Sequence, residues 1–90
     1  MRIDVWGMDW CGACKGVAKH LTSLDLDFTY HPLPPGKAGW DRVEELSGKR
    51  ATPVVALDGT VVPFAEFKQK INALGLTPRP LTQDEIDEWD

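Results

Sequence analysis

Residues 2–21 read RIDVWGMDWCGACKGVAKHL, and the change of period inside this stretch decides the fold. Ile3, Val5 and Trp6 are β formers in a partly alternating run, which predicts a strand over Arg2 to Gly7. Gly7 to Trp10 makes a loop. From about Gly12 the apolar positions fall at Cys14, Val17, Ala18 and Leu21, the spacing of one helical face. Lys15 and Lys19 lie on the opposite face. A strand gives way to a helix, and Cys11 and Cys14, the only two cysteines among 90 residues, stand at the junction.

The rest of the chain is read outward from there. Leu26 to His31 alternates with period two and predicts a half-buried or flanking strand. Pro32, Pro34, Pro35 and Gly36 end it in a stiff, extended link. A second helix is predicted from Ala38 to Ser47, with Trp40, Val43 and Leu46 three apart and Gly48 as its stop. Pro53 to Leu57 is continuously apolar, as in a strand covered on both faces. Asp58-Gly59 is a two-residue hairpin signal, and Thr60 to Val62 is the return strand. A third helix runs from about Phe64 to Leu74, with Phe64, Phe67, Ile71 and Leu74 as its stripe and Gly75 as its cap. Thr82 and Glu85 form a capping box before a short acidic helix, whose Ile86 and Trp89 are placed to pack back onto the body. The element order describes an α/β domain, a four-stranded mixed sheet with helices on both faces.

The length suits one domain, assigned to residues 1–78, followed by an acidic extension over 79–90. The net charge of -4 at pH 7 is concentrated in that extension: without its last nine residues the chain carries ten basic and nine acidic side chains. No clustered basic face suggests nucleic acid. No apolar run approaches the ~20 residues that cross a bilayer, and the start has no signal-peptide pattern. The expectation is a cytoplasmic monomer.

In that compartment thiols are kept reduced, so a pair of cysteines two residues apart points to catalysis or metal rather than a staple. A disulfide across so short a loop also removes little unfolded-state entropy. The thiolate is the nucleophile. Cys11 at the helix mouth meets free backbone N–H groups and the positive end of the helix dipole, both of which favour the anion. It is expected to be exposed, with Cys14 one turn on, facing inward and shielded. Cys11 would then form a mixed disulfide and Cys14 would resolve it. Zinc or an iron–sulfur cluster needs about four ligands, and only His20 and His31 are at hand to help. A closed metal site, a cluster shared between subunits and inert packing of both cysteines remain as lesser alternatives, and no metal is assigned.

At these residues the chain resembles the thioredoxin-fold dithiol oxidoreductases, and among them the small glutaredoxins. The resemblance spans roughly residues 2–75. It rests on Cys11-Gly12-Ala13-Cys14 after the first strand and on Thr52-Pro53 before the third. The resemblance implies a thioredoxin-like fold, a cis bond before Pro53, and reduction of protein disulfides through Cys11 and Cys14. It implies substrate contacts at Trp10, Gly12, Ala13, Thr52 and Pro53. It also implies no bound cofactor, restoration by glutathione or a flavoprotein reductase, and protein disulfide clients such as a ribonucleotide reductase. The alternative is a non-catalytic binding module on the same fold. Three places depart from the family pattern, and the first is the loop before the cysteines, where Met8 and Asp9 stand in place of the basic residue or tyrosine often found in members that bind glutathione. Ala13 stands where proline is common between the cysteines. Val62-Pro63-Phe64 stands where a double glycine would let a carboxylate approach the backbone. Lys37, Lys49 and Arg50 are other sources of positive charge, each read first as a solvated surface group. Asp4 and Asp25 read as solvated, and Tyr30 and His31 show no distinct role.

Overall fold

The computed structural model describes residues 1–89; Asp90, counted above in the acidic end, lies outside the described residues. Four strands and four helices alternate as β1 (Ile3–Gly7), α1 (Gly12–Ser23), β2 (Thr29–Pro32), α2 (Lys37–Ser47), β3 (Val54–Leu57), β4 (Thr60–Val62), α3 (Phe64–Ala73) and α4 (Gln83–Glu88). The sheet order is β2-β1-β3-β4. β1 pairs parallel with β2, whereas the β1–β3 and β3–β4 pairs are antiparallel. This is the mixed sheet of a thioredoxin-like fold.

The two-residue period of the strands divides the core. Ile3, Val5, Val55 and Leu57 point to one face and meet Val17 and Leu21 of α1 and Phe67 and Ile71 of α3. Trp6, Val54 and Val61 point to the other, where they meet Val43 of α2 together with Met8 and both cysteines. Every residue of β3 is buried, as its unbroken apolar run predicts. Asp58 and Gly59 both take positive φ, 51° and 84°, which gives the hairpin a twist that suits its strands.

The second strand begins later than the sequence suggests. After α1 the chain is still turning: Leu26 N–H donates to the Leu21 carbonyl at 3.1 Å and Asp25 N–H to Thr22 at 3.0 Å, with Asp25 at φ 56°. These two bonds close the helix as a Schellman motif, with aspartate in glycine's usual place. Pairing with β1 starts only at Thr29, opposite Asp4. In α3 the expected stripe is half right. Phe67 and Ile71 are buried, but Phe64 and Leu74 are exposed, because the helix ends pass beyond the edge of the sheet core.

The acidic helix forms and docks. Thr82 and Glu85 make the reciprocal capping box. Trp89 reaches the rings of Phe28 and Tyr30, with centroids 5.9 and 4.9 Å away. Arg79 ties this segment to the end of α1: its N–H donates to the Ser23 carbonyl at 2.8 Å, and its guanidinium pairs with Asp25 and Glu85.

Candidate active site

Cys11 is the N-cap of α1. Its backbone is extended at φ -83° and ψ 102°, and its sulfur accepts the Cys14 N–H at 3.2 Å. A sulfur thus stands where a serine or aspartate oxygen commonly caps a helix, beside the unpaired donors of the first turn. Cys11 and Cys14 are joined by a disulfide, with their Cα atoms 5.3 Å apart. Thr52 Oγ1 lies 3.4 Å from Cys11 Sγ, although 41 residues separate them in sequence. The Thr52–Pro53 bond is cis, as the resemblance implied.

Access differs from expectation. Cys14 is fully buried, as read, but Cys11 is also buried, with 5% of its surface exposed. Cys11 packs among Met8, Leu33 and Val54, and its sulfur lies against Thr52 and Cys14, which leaves little of it open. The exposed group at this spot is Trp10, 67% accessible and leaning on Trp40 with centroids 5.8 Å apart. Gly12 is exposed at the first turn of α1, with no heavy atom near its Cβ direction. Ala13 lines an apolar groove of about 300 Å³ between α1 and α3, together with Phe64 and Phe67. Pro53 lines a second cavity of about 310 Å³ with Lys49, Val61, Pro63 and Phe64. Cys11, Cys14 and Thr52 are therefore gathered at one end of the sheet, with Trp10, Ala13 and Pro53 arranged around them.

Of the three cations considered for an anionic ligand, two are engaged on the surface. Lys37 pairs with Asp41 at 2.9 Å, and Arg50 pairs with Glu44 at 2.7 Å and Asp41 at 3.4 Å. Lys49 faces the cavity beside Pro53.

Three residues near β1 were not assigned a role by sequence. Asp4, expected in solvent, is only 3% exposed. Its carboxylate takes His31 Nε2 at 2.9 Å and Arg2 Nε at 3.0 Å. The hydrogen bond from His31 holds the Asp4 carboxyl below the usual range, against the opposing effect of burial and with help from Arg2. His31 also stacks on Trp6 at 4.7 Å. Tyr30 is half-buried beside Gly7 and Cys14. Its phenol is raised above its ordinary pKa by burial and secondarily by the charge of Asp9. Parallel pairing of the strands bearing Asp4 and Tyr30 is the signal that would have exposed these contacts, but register is not written in either strand alone.

The site and the fold define a thioredoxin-fold dithiol protein. The family model described as Glutaredoxin matches residues 3–62, and the chain belongs to that family. Among curated proteins none matches the chain. Among solved structures, a glutathione S-transferase from Xanthobacter autotrophicus Py2 is similar, with 27% identity and a TM-score of 0.62 over 88% of this chain. The chain spans 41% of that transferase's length. Family membership and the paired cysteines support thiol–disulfide oxidoreductase chemistry in general, in a family that uses glutathione and protein disulfides. Among the described residues no three His, Cys, Asp or Glu side chains cluster as metal ligands, and no helix is long and apolar enough to cross a membrane.

Proposed function

We propose that this protein reduces protein disulfides by dithiol exchange, with Cys11 as the attacking sulfur and Cys14 as the resolving one. The observation that carries this reading is the seat of Cys11 Sγ: it caps α1, accepts a first-turn N–H at 3.2 Å and lies 3.4 Å from the Thr52 hydroxyl. Those dipoles favour a thiolate over a thiol. Cys11 attacks one sulfur of the client, the client's second sulfur leaves as a thiolate, and Cys14 then displaces the first. The protein dithiol becomes the disulfide and the client receives two electrons.

Trp10, Gly12, Ala13, Thr52 and Pro53 form the contact surface for the client. Exposed Trp10 is an aromatic anchor of the type enriched at such contacts. Lys49, at the cavity beside Pro53, offers the positive charge that a glutathione carboxylate would need in place of the missing glycines. The electrons return from glutathione or from a flavoprotein reductase, in a reducing compartment such as the cytoplasm. A self-oxidising enzyme such as a ribonucleotide reductase is a fitting client. Residues 1–78 carry this activity and residues 79–90 form its extension; the protein works as a monomer without a bound cofactor.

The test is reduction of an insulin-type disulfide with a general reductant present. The expected outcome is turnover in the parent chain, loss with Cys11→Ser, and survival of activity toward small mixed disulfides alone with Cys14→Ser. Partner binding that persists with both cysteines replaced, and no turnover in the parent, would favour the binding module that exposed Trp10 also suits. Comparing glutathione with NADPH and a thioredoxin reductase identifies the restoring system.

A further inference from the structure

Tyr30 is the only tyrosine in the chain, and it stands on β2 opposite Val5 of β1. Gly7, two residues further along β1, has no side chain, and two groups occupy the space beside it. They are the Tyr30 hydroxyl and the Cys14 Cβ, the latter 2.6 Å from where a Gly7 Cβ would stand. The hydroxyl and the buried cysteine therefore border one space beside β1 that only glycine leaves open. Among the described residues the Tyr30 hydroxyl has no hydrogen-bond partner. Its ring is held from outside by Trp89, 4.9 Å away edge-on, and Trp89 is itself carried by the capped helix α4.

We propose that Tyr30 is the hydrogen-bond donor to the resolving sulfur: in the reduced protein its hydroxyl turns to Cys14 and supports that sulfur as it gives up its proton. This rests on the redox reading above and adds a residue to it. The need is physical. Cys14 is fully buried, and the first-turn N–H it carries is committed to the Cys11 sulfur, so its ionisation has to be stabilised by another group nearby. In the step concerned, Cys14 loses its proton to solvent and its sulfur attacks Cys11 Sγ. The Cys11–Cys14 bond forms, the Cys11–client bond breaks, and the client sulfur leaves with the electron pair and takes up a proton. Burial and the nearby charge of Asp9 keep the phenol protonated, which is the form that can donate. The groups facing it are Asp9 from the loop, Cys14 from α1 and the ring of Trp89 from the tail.

The test uses the full chain and a chromogenic aromatic disulfide, which releases one coloured thiolate on attack by Cys11 and a second when Cys14 resolves. Tyr30→Phe removes only the hydroxyl. The expected result is an unchanged first release and a second release slowed about tenfold to hundredfold, the worth of one hydrogen bond to a charged group. The pH profile of the second release moves to higher pH, and so does alkylation of Cys14 in a Cys11→Ser chain. An unchanged second release and pH profile would overturn the proposal. Equal slowing of both steps would overturn it as well, reducing Tyr30 to a packing residue. A parent chain that releases no thiolate would refute the redox reading itself, and this proposal with it.

Discussion

The two faces of the sheet are built from different materials. The face under α1 and α3 is a continuous aliphatic and aromatic core of Ile3, Val5, Leu21, Val55, Leu57, Phe67 and Ile71. The face under α2 mixes Met8, the two cysteines, Trp6 and Trp40 with fewer aliphatic groups, and at its far end buried Asp4 pairs with half-buried His31. Burial of such apolar groups is the main favourable term in folding, and close packing makes any void among them costly. Sulfur, indole and carboxylate have chemistry that packing does not exhaust. The comparison teaches that in so small a domain stability and reactivity are separated by a single sheet, so substitutions on the two faces are expected to fail in different ways.

The largest separation is expected between Cys11 and Leu21. Cys11→Ser should abolish disulfide exchange, read as loss of all thiolate release, while thermal unfolding moves little, because the disulfide closes only a three-residue separation. Leu21→Ala should do the reverse. Leu21 is fully buried, and truncation of such a residue costs about 2–5 kcal/mol through lost transfer energy and the cavity left behind. Urea titration should show that loss, with exchange per folded molecule intact. A Leu21→Ala chain that stays folded but exchanges poorly would mean that the two faces are coupled rather than separate.

How legible each face was in the sequence follows from what each is made of. The aliphatic face announced itself by period: Val17 and Leu21 at helical spacing, Val54 to Leu57 unbroken, and Asp58-Gly59 fixing the hairpin between β3 and β4. The cysteine pair and Thr52-Pro53 were legible as a local motif and a resemblance, and they meet in space as that resemblance implied. What stayed hidden depends on register between strands distant in sequence. Asp4 looked like a solvated acid because its chief partner, His31, is 27 residues away and only Arg2 pairs with it from nearby in the chain. The reach of Tyr30 to Cys14 needs both the parallel pairing of β1 with β2 and the absence of a side chain at Gly7. The burial of Cys11 was misjudged because a helix start is usually open, and the cover comes from Leu33 and Val54, which are remote in sequence.

Asp4 offers the next test, an intermediate effect confined to the α2 face. Its carboxyl titrates below the ordinary value in the folded chain, chiefly through the His31 hydrogen bond. Such a group contributes stability that is fully present above the unfolded carboxylate pKa of about 3.9 and disappears as pH falls through its lower folded value. Asp4→Asn should therefore cost about 1.5–3 kcal/mol at neutral pH, the range for a hydrogen bond to a charged group. The gap between parent and variant should close below about pH 4. Denaturant titrations across that range measure it, and a gap that does not narrow as pH falls below the unfolded carboxylate value would assign the loss to packing rather than charge.

The smallest effect is expected in the tail, which is held to the body by the ring contacts of Trp89 and by Arg79 at the end of α1. Thr82→Ala removes the side chain that caps α4 at Glu85 N–H, 3.2 Å away, and loss of such a cap costs about 1 kcal/mol. The six-residue helix has few other intrinsic supports, so it should fray locally while the sheet stays intact. Tryptophan fluorescence should report Trp89 leaving its seat against Phe28 and Tyr30, and hydrogen exchange should rise over Gln83–Glu88 but not in β1. Acid should act on the same segment through Glu85. Arg79, and then the Thr82 backbone N–H, hold the Glu85 carboxyl down to about 2, so the tail's charge contribution is present above the ordinary carboxylate range and is lost only as pH falls through that value. The pair is only part-buried, so added salt should weaken it wherever Glu85 is ionised. Exchange protection in β1 that fell together with that of α4 would show that the tail is part of the core rather than a strap laid across it.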